Sequence, residues 1–164
     1  MKRHSWKYIA GLFDGEGCID TQRAYNKAYP GSYYVRPRLR IGMAINAEFL
    51  LKELQGNFGG HLGYRQSTRE EWQSSITWEL LSQTDMKNFL GHVTDHLVLK
   101  QEQAKLVLWW LNNYSGLQNR VVGAWIESAR HLFANELKAM KLDPQRLSDR
   151  AVQMLIKLRT DAIV

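Results

Sequence analysis

The chain has 164 residues, of which 45% are hydrophobic and 23% charged, and its formal net charge is +6 at pH 7. This length predicts one domain over residues 1–164, and the apolar and aromatic content excludes a mainly disordered chain. A single cysteine excludes a disulfide scaffold, and with no run of about 18 apolar residues and no N-terminal apolar segment we expect neither a membrane span nor a signal peptide.

The positive charge is concentrated near the N-terminus. Residues 1–45 contain eight of the 22 Lys and Arg residues but only three of the 16 Asp and Glu residues. A local basic surface favours a polyanion, and nucleic acid is the commonest polyanion that proteins bind. Charge alone leaves open the alternative of a solvated basic face that binds nothing.

The first predicted element is a helix over Trp6–Glu16, with Ser5 as its N-cap and Gly17 as its end. Gly11 and Gly15 lie inside it, where each glycine costs about 1 kcal/mol relative to alanine. Because they are four residues apart, they share one face, and glycines there let two helix backbones approach closely. The pattern predicts a face that contacts another helix.

The same helix carries Asp14 and Glu16 in its last turn. Carboxylates at this negative end of the helix dipole are disfavoured by about 0.3–1 kcal/mol each. A cation would relieve this conflict, and the terminal carbonyls could help to bind it. The alternatives are that the glycines only end the helix and that Asp14 pairs with a local arginine, but together the features predict a metal site at the helix tip.

A hairpin with a long tip follows, built from strands at 18–25 and Tyr33–Ile45. The second strand alternates between an apolar face and a face that carries Arg36, Arg38 and Arg40. Pro37 predicts an edge position or an irregular start for this strand. The apolar face is formed by Val35, Leu39, Ile41, Met43 and Ile45.

The remaining elements continue the order helix, strand, strand, helix. We expect Asn46 to cap the first of these helices, Gly59–Gly60 to end it, and Asp143 to cap the last helix of the chain, with Pro144 as its first residue. The predicted elements are a helix at Ala47–Asn57, strands at 61–67 and 73–81, and helices at Asp85–Val93, Leu97–Tyr114, Arg120–Met140 and Pro144–Leu158.

Residues Ile9–Gly17 read Ile-Ala-Gly-Leu-Phe-Asp-Gly-Glu-Gly and resemble the LAGLIDADG motif of homing endonucleases. Two further segments, Trp78–Val93 and above all Leu97–Ala104, are similar to the branch of this family that carries a single motif. The resemblance covers residues 6–115 in the order of elements.

This resemblance implies an α+β fold, in which an αββαββ unit over residues 5–115 forms a saddle-shaped antiparallel sheet that straddles double-stranded DNA. Further helices would follow over residues 119–160. The motif helices of two copies would pack through Gly11, Leu12 and Gly15, so the chain would form a homodimer, and a twofold dimer implies a palindromic or pseudo-palindromic target.

The activity implied by the resemblance is site-specific cleavage of both DNA strands with 3′ overhangs, assisted by Mg²⁺ or by another divalent cation such as Mn²⁺. The carboxylate of Glu16 and the carbonyl of Gly15 would hold the metal. Lys100 would order water and offset phosphate charge, and the less favoured alternative is a surface lysine whose ammonium group reaches solvent. A third catalytic position, a polar residue at the end of the basic strand, falls on Asn46 in a segment shorter than the family pattern.

The strand faces are the expected DNA-reading surface, since a β-ribbon fits the major groove and arginine binds guanine or phosphate. The sequence leaves open which way the second hairpin faces. An intron-splicing maturase, which would bind intron RNA, and a catalytically silent DNA-binding regulator are the alternatives on the same fold. The candidate DNA-binding residues are Gln22, Arg23, Lys27, Arg36, Arg38, Arg40, Arg65, Gln66 and Arg69.

Overall fold

The structure, a computed structural model, describes residues 4–25, 33–68, 73–114 and 124–161. These residues contain six α-helices and one four-stranded sheet, which confirms the predicted α+β class. None of the helices in the described part of the chain is long and apolar enough to cross a bilayer.

The chain forms two compact units. The first contains Met1–Ile19 and Arg38–Val98, and the second contains Asp20–Pro37 and Leu99–Val164. The boundaries between them fall inside the two strands of the first hairpin and just before the fourth helix.

Helix α1 (Trp6–Glu16) opens the first unit with the predicted bounds. The hydroxyl of Ser5 accepts a hydrogen bond from the amide of Tyr8 at 3.2 Å and so caps the helix. The amide of Gly17 donates to the carbonyl of Phe13 at the other end. A Cβ atom at Gly17 would overlap Phe13, so this close approach requires glycine.

The sheet has the strand order β1-β2-β4-β3. Strand β4 pairs antiparallel with both β2 and β3, and its residues alternate between half-buried and buried. The four strands confirm the predicted hairpins, with ends that differ by up to two residues. Their bounds are β1 (Gly17–Tyr25), β2 (Tyr33–Ala44), β3 (His61–Arg65) and β4 (Ser75–Leu80).

Pro37 lies inside β2 and is buried. The described pairing between β2 and β4 begins at Leu39, opposite Leu80. A proline cannot donate to a strand ladder, and its position before this pairing agrees with the predicted irregular start of the strand.

Trp78 stands at the centre of the first unit's core and is fully buried. It lies opposite Ile41 in the β2–β4 register, and its indole Nε1 donates to the carbonyl of Gly59 at 2.9 Å. Helices α2 (Glu48–Phe58) and α3 (Gln83–Val93) place Phe58 and Phe89 against its ring, with ring centroids 6.4 and 5.2 Å away. The helices thus cover the apolar face of the sheet.

The prediction that Asn46 caps α2 is wrong. Asn46 lies exposed in a 3₁₀ turn over Ile45–Ala47, and α2 begins at Glu48 without a side-chain cap. The amide of Ile45 donates to the carbonyl of Ser74 at 2.9 Å. The 3₁₀ turn therefore separates the end of β2 from the start of α2. Helix α3 begins two residues earlier than predicted because the Ser82 hydroxyl caps it.

The described helices of the second unit are α4 (Gln101–Tyr114), α5 (Ala124–Leu142) and α6 (Ser148–Asp161). Their core is aromatic, because the ring of Trp110 stacks on both Tyr114 and Phe133 with centroids 4.3 Å apart.

Helix α4 does not start at Leu97, as the sequence suggested, but at Gln101. Leu97 is extended, with ψ at 146°, and the amide of Val98 donates to a carboxylate oxygen of Asp14 at 2.7 Å. Lys100 therefore precedes the helix, whereas the predicted bounds placed it inside. Its carbonyl accepts the first helical hydrogen bond, from Ala104 at 2.9 Å.

The last helix also starts later than predicted, at Ser148 instead of Pro144. Asp143 caps a turn and not a helix, since its carboxylate accepts from the amide of Gln145 and its carbonyl from that of Arg146. Helix α5 runs two residues past its predicted end, whereas its predicted first residues, 120–123, lie outside the described residues.

A carboxylate from α4 caps α6. One oxygen of Glu102 accepts from both the amide and the hydroxyl of Ser148 at 2.8 Å, and the other contacts Lys105. Burial alone would raise the pKa of Glu102, but these hydrogen bonds outweigh it and hold the pKa below its ordinary value of 4.5. The ionised form therefore stabilises the folded state.

We expect Glu102→Gln to lower the free energy of unfolding by about 1–2 kcal/mol at neutral pH, as for loss of a charged helix cap. Because the folded pKa is depressed, this contribution is complete above pH 4.5 and disappears as the pH falls through the folded pKa. Urea unfolding at several pH values measures it. Asp95→Asn, which removes an exposed carboxylate, is the control, and a pH-independent difference would contradict the interpretation.

Candidate functional site

The tip of the motif helix carries an exposed carboxylate. Glu16 is the last residue of α1, and both Glu16 and Gly15 are exposed. Carbonyls in the last turn of a helix lack intrahelical partners, so the Gly15 carbonyl adds an oxygen donor beside this carboxylate. Both are hard oxygen ligands at the negative end of the helix dipole.

A divalent cation fits this donor set only if other molecules complete it. The described residues contain no group of three or more His, Cys, Asp or Glu side chains that could hold a metal. Mg²⁺ commonly takes one or two carboxylates and fills its other positions with water and substrate phosphate oxygens. One copy of Glu16 with the Gly15 carbonyl fits Mg²⁺ in that manner.

Asp14, the other acid of the motif, has a different environment. It is half-buried and accepts the hydrogen bond from the Val98 amide, 84 residues along the chain. This bond fixes the backbone two residues before Lys100, whose side chain is half-buried. Glu16 belongs to the first compact unit and Lys100 to the second.

The outer face of α1 is nearly bare. Gly11 and Gly15 are exposed and Leu12 is half-buried, and a Cβ atom added to either glycine would meet nothing within 4 Å. The opposite face is fully buried through Ile9 and Phe13. Packing among the described residues therefore does not require glycine at positions 11 and 15.

Three arginines project from β2, and each contacts a side chain of a neighbouring strand. Arg36 donates through two nitrogens to Gln22 of β1, at 3.3 and 3.1 Å. Nη1 of Arg38 lies 3.4 Å from a carboxylate oxygen of Glu79 on β4. The contact of Arg40 is with the sulfur of Cys18 at 3.9 Å. Arg36, Arg38 and Arg40 are thus half-buried, and side chains of the neighbouring strands contact them.

The register determines which way the second hairpin faces. Arg65 pairs with Ser75, and Ser75 pairs with Ala44, four residues along β2 from Arg40. Paired residues in antiparallel strands point to the same side, and so do residues two or four apart. Arg65 therefore lies on the same face as Arg38 and Arg40.

The other predicted site residues lie at the ends of strands. Arg23 is exposed near the end of β1, Gln66 is exposed directly after β3, and Asn46 is exposed in the turn after β2. Lys27 and Arg69 lie outside the described residues.

Sequence reasoning missed Glu79 and Cys18 as partners of the arginines. Glu79 occupies an outward position of β4, and strict alternation in that predicted strand was the available signal. Which arginine it contacts depends on the register between β2 and β4, which the sequence did not give.

Comparison with known proteins finds a family model and related proteins that this chain resembles. The description "LAGLIDADG endonuclease" belongs to the family model that matches residues 9–110. DNA endonuclease I-CvuI of Chlorella vulgaris and DNA endonuclease I-CreI of Chlamydomonas reinhardtii are each 29% identical over 102 residues, or 62% of this chain. The match spans only 60% and 58% of their own lengths.

Solved structures share the fold. The crystal structure of the homing endonuclease I-CvuI in complex with its target has a TM-score of 0.64, at 23% identity and 93% coverage of both chains. The archaeal intron-encoded endonuclease I-Vdi141I in complex with DNA has a TM-score of 0.61, at 16% identity, covering 94% of this chain and 96% of that one.

The Asp14–Val98 hydrogen bond is testable by amide hydrogen exchange. We expect Asp14→Ala to speed exchange of the Val98 amide about tenfold, because a hydrogen bond to a charged group contributes roughly 1.5 kcal/mol net. Asp14→Asn keeps an acceptor oxygen and should retain most of the protection. Glu16→Gln, a change in the same turn of α1, is the control and should leave this amide unchanged, while equal exchange in all variants would disprove the anchor.

Proposed function

Because the chain belongs to the LAGLIDADG endonuclease family, we propose that it is a homing endonuclease that cuts both strands of a specific DNA site. The observation that carries this proposal is that the first compact unit combines the exposed Glu16 at the tip of α1 with a sheet face bearing Arg38, Arg40 and Arg65. Such a unit has both a place for a cation and a basic surface for DNA.

Glu16 and the carbonyl of Gly15 are the proposed metal ligands, with Mg²⁺ as the cation and Mn²⁺ as a substitute. When bound, the cation would stabilise charge on the attacking and leaving oxygens of a phosphodiester. Lys100 would offset phosphate charge with its ammonium group and orient water with its N–H donors. Asn46 would add a neutral polar group at the end of the basic strand.

The proposed DNA contacts fall into two groups. Side chains on the strand face would reach base edges in the major groove: Gln22, Arg36, Arg38, Arg40, Arg65 and Gln66. Residues close to the hairpin tips would contact the phosphate backbone: Arg23, Lys27 and Arg69. The relative I-CvuI has been crystallised with the I-CreI target as uncleaved DNA, and I-Vdi141I in complex with DNA, which supports the proposal of a double-stranded DNA partner.

We propose a homodimer because one chain carries one motif and therefore supplies one proposed metal-binding carboxylate, that of Glu16. The face of Gly11, Leu12 and Gly15 would pack against its copy and bring the two Glu16 carboxylates together. A twofold dimer reads two half-sites, so the target would be long and pseudo-palindromic. The two cuts would leave 3′ overhangs.

A cleavage selection tests the enzyme. Wild-type protein, a randomised duplex pool and Mg²⁺ should enrich one pseudo-palindromic cut site. We expect Glu16→Gln to bind that site but cut it at least about 1,000-fold more slowly, because a catalytic metal supplies several kcal/mol of charge stabilisation. Asp161→Asn, which removes an exposed carboxylate from the last residue of α6, is the matched control and should cut normally.

Other outcomes would identify the alternatives. Binding of one site without cleavage by the wild type would indicate a DNA-binding regulator. An affinity for intron RNA that equals the affinity for DNA would indicate a maturase. Equal cleavage by wild type and Glu16→Gln would remove Glu16 from the site.

A pair of glycine variants tests the interface. Gly11 and Gly56 both lie exposed in helices, and a Cβ atom at either would meet no described residue within 4 Å. Leucine should therefore stabilise each helix by up to about 1 kcal/mol within the protomer. We expect Gly11→Leu to give monomers in sedimentation velocity and Gly56→Leu to remain dimeric. A dimeric Gly11→Leu would contradict the proposed packing.

A further inference from the structure

Glu79 is an acidic residue on the basic face of the sheet. In β4, Ile76, Trp78 and Leu80 are fully buried, so the side chain of Glu79 points to the other side. The register places it between Arg40 of β2 and His61 of β3. A carboxylate at this position lies among the residues that would meet DNA.

The side chain of Glu79 contacts Arg38 diagonally across the two strands. Nη1 of Arg38 lies 3.4 Å from the Glu79 carboxylate, and the side chains are 21% and 26% exposed. Arg38 precedes Arg40, the direct neighbour of Glu79, by two residues, and long side chains reach such diagonal partners. The contact with Glu79 engages one nitrogen of a guanidinium that has five N–H donors.

Neither stability nor affinity accounts well for this pair. Ion pairs near the surface contribute little to folding. A carboxylate beside the bound DNA also repels phosphate and weakens binding to every sequence. A benefit specific to base selection remains. Bidentate recognition of guanine requires the guanidinium to lie in the plane of the base. A side chain that is already held in this orientation loses less entropy on binding.

We propose that Glu79 is a positioning residue for base readout, whose carboxylate holds the Arg38 guanidinium in the orientation with which Arg38 selects a base. The inference rests on the proposed function, since it requires that the sheet face reads DNA. It predicts that Glu79 governs discrimination at the base pair that Arg38 contacts, and at its symmetry mate in the second half-site.

Binding selections from a randomised duplex pool, with Ca²⁺ present, test the proposal separately from cleavage. We expect Arg38→Gln to reduce the preference at one symmetric pair of positions about tenfold, the effect of losing a bidentate contact. Glu79→Gln and Glu79→Asp should each reduce it at the same positions, by about fivefold, and should not reduce it further in an Arg38→Gln background.

Two further variants test the geometry of the contact and the specificity of the effect. Glu79→Asp keeps the charge but shortens the side chain by one methylene, so it should alter the preference as Glu79→Gln does. Asp95→Asn removes an exposed carboxylate from a 3₁₀ turn outside the sheet and should leave the preference unchanged. Thermal melting of each variant confirms that it is folded.

The outcomes are distinguishable. If the wild type selects no sequence, the proposed function fails. If the wild type selects a site and Glu79→Gln selects the same site with equal preference, the function stands and the positioning role is wrong, even when affinity rises uniformly. If Glu79→Gln changes the preference further in the Arg38→Gln background, Glu79 contacts a base itself and does not act through Arg38.

Discussion

Burial of Trp78 decides which side chains the sheet presents to a ligand. The indole is fully buried, lies opposite Ile41, and is fixed by its hydrogen bond to Gly59 and by two phenylalanine rings. A one-residue shift of β4 would exchange its two faces, expose Trp78 and bury Glu79. The free-energy cost of exposing Trp78 and burying Glu79 therefore sets the register. The register in turn sets the positions of Arg40 and Arg65 relative to each other.

The motif separates into residues that the fold of this chain uses and residues that it does not. Ile9, Ala10 and Phe13 are buried, and Gly17 is required by its contact with Phe13. The intervening positions at 11, 12, 15 and 16 face outward, although two exposed glycines lower helix stability. A helix that keeps these residues without an internal reason is suited to a contact outside the chain, which agrees with the proposed dimer and metal site.

Elements whose ends depend on local signals were predictable, and those whose ends depend on distant partners were not. Helix α1 begins at its Ser5 cap and ends where Gly17 meets Phe13, all within 13 residues of sequence. Helix α4 starts late because the Val98 amide bonds Asp14, and α6 starts at Ser148 because Glu102 caps it. In the candidate site, the alternation in β2 predicted the face that carries the arginines. The partners of these arginines on β1 and β4 depend on strand pairing, which the sequence did not show.

Those partners change how the basic face should be understood. Gln22 and Glu79, on the strands to either side of β2, hold Arg36 and Arg38 before any ligand binds. These side chains would lose conformational entropy when they bind a ligand, and part of that entropy is therefore already lost on folding. The carboxylate of Glu79 also reduces the positive field, which lowers attraction to any polyanion. A surface evolved only to hold DNA would omit that carboxylate, whereas a surface that must distinguish one site from many others gains more from fixed arginines than from added charge.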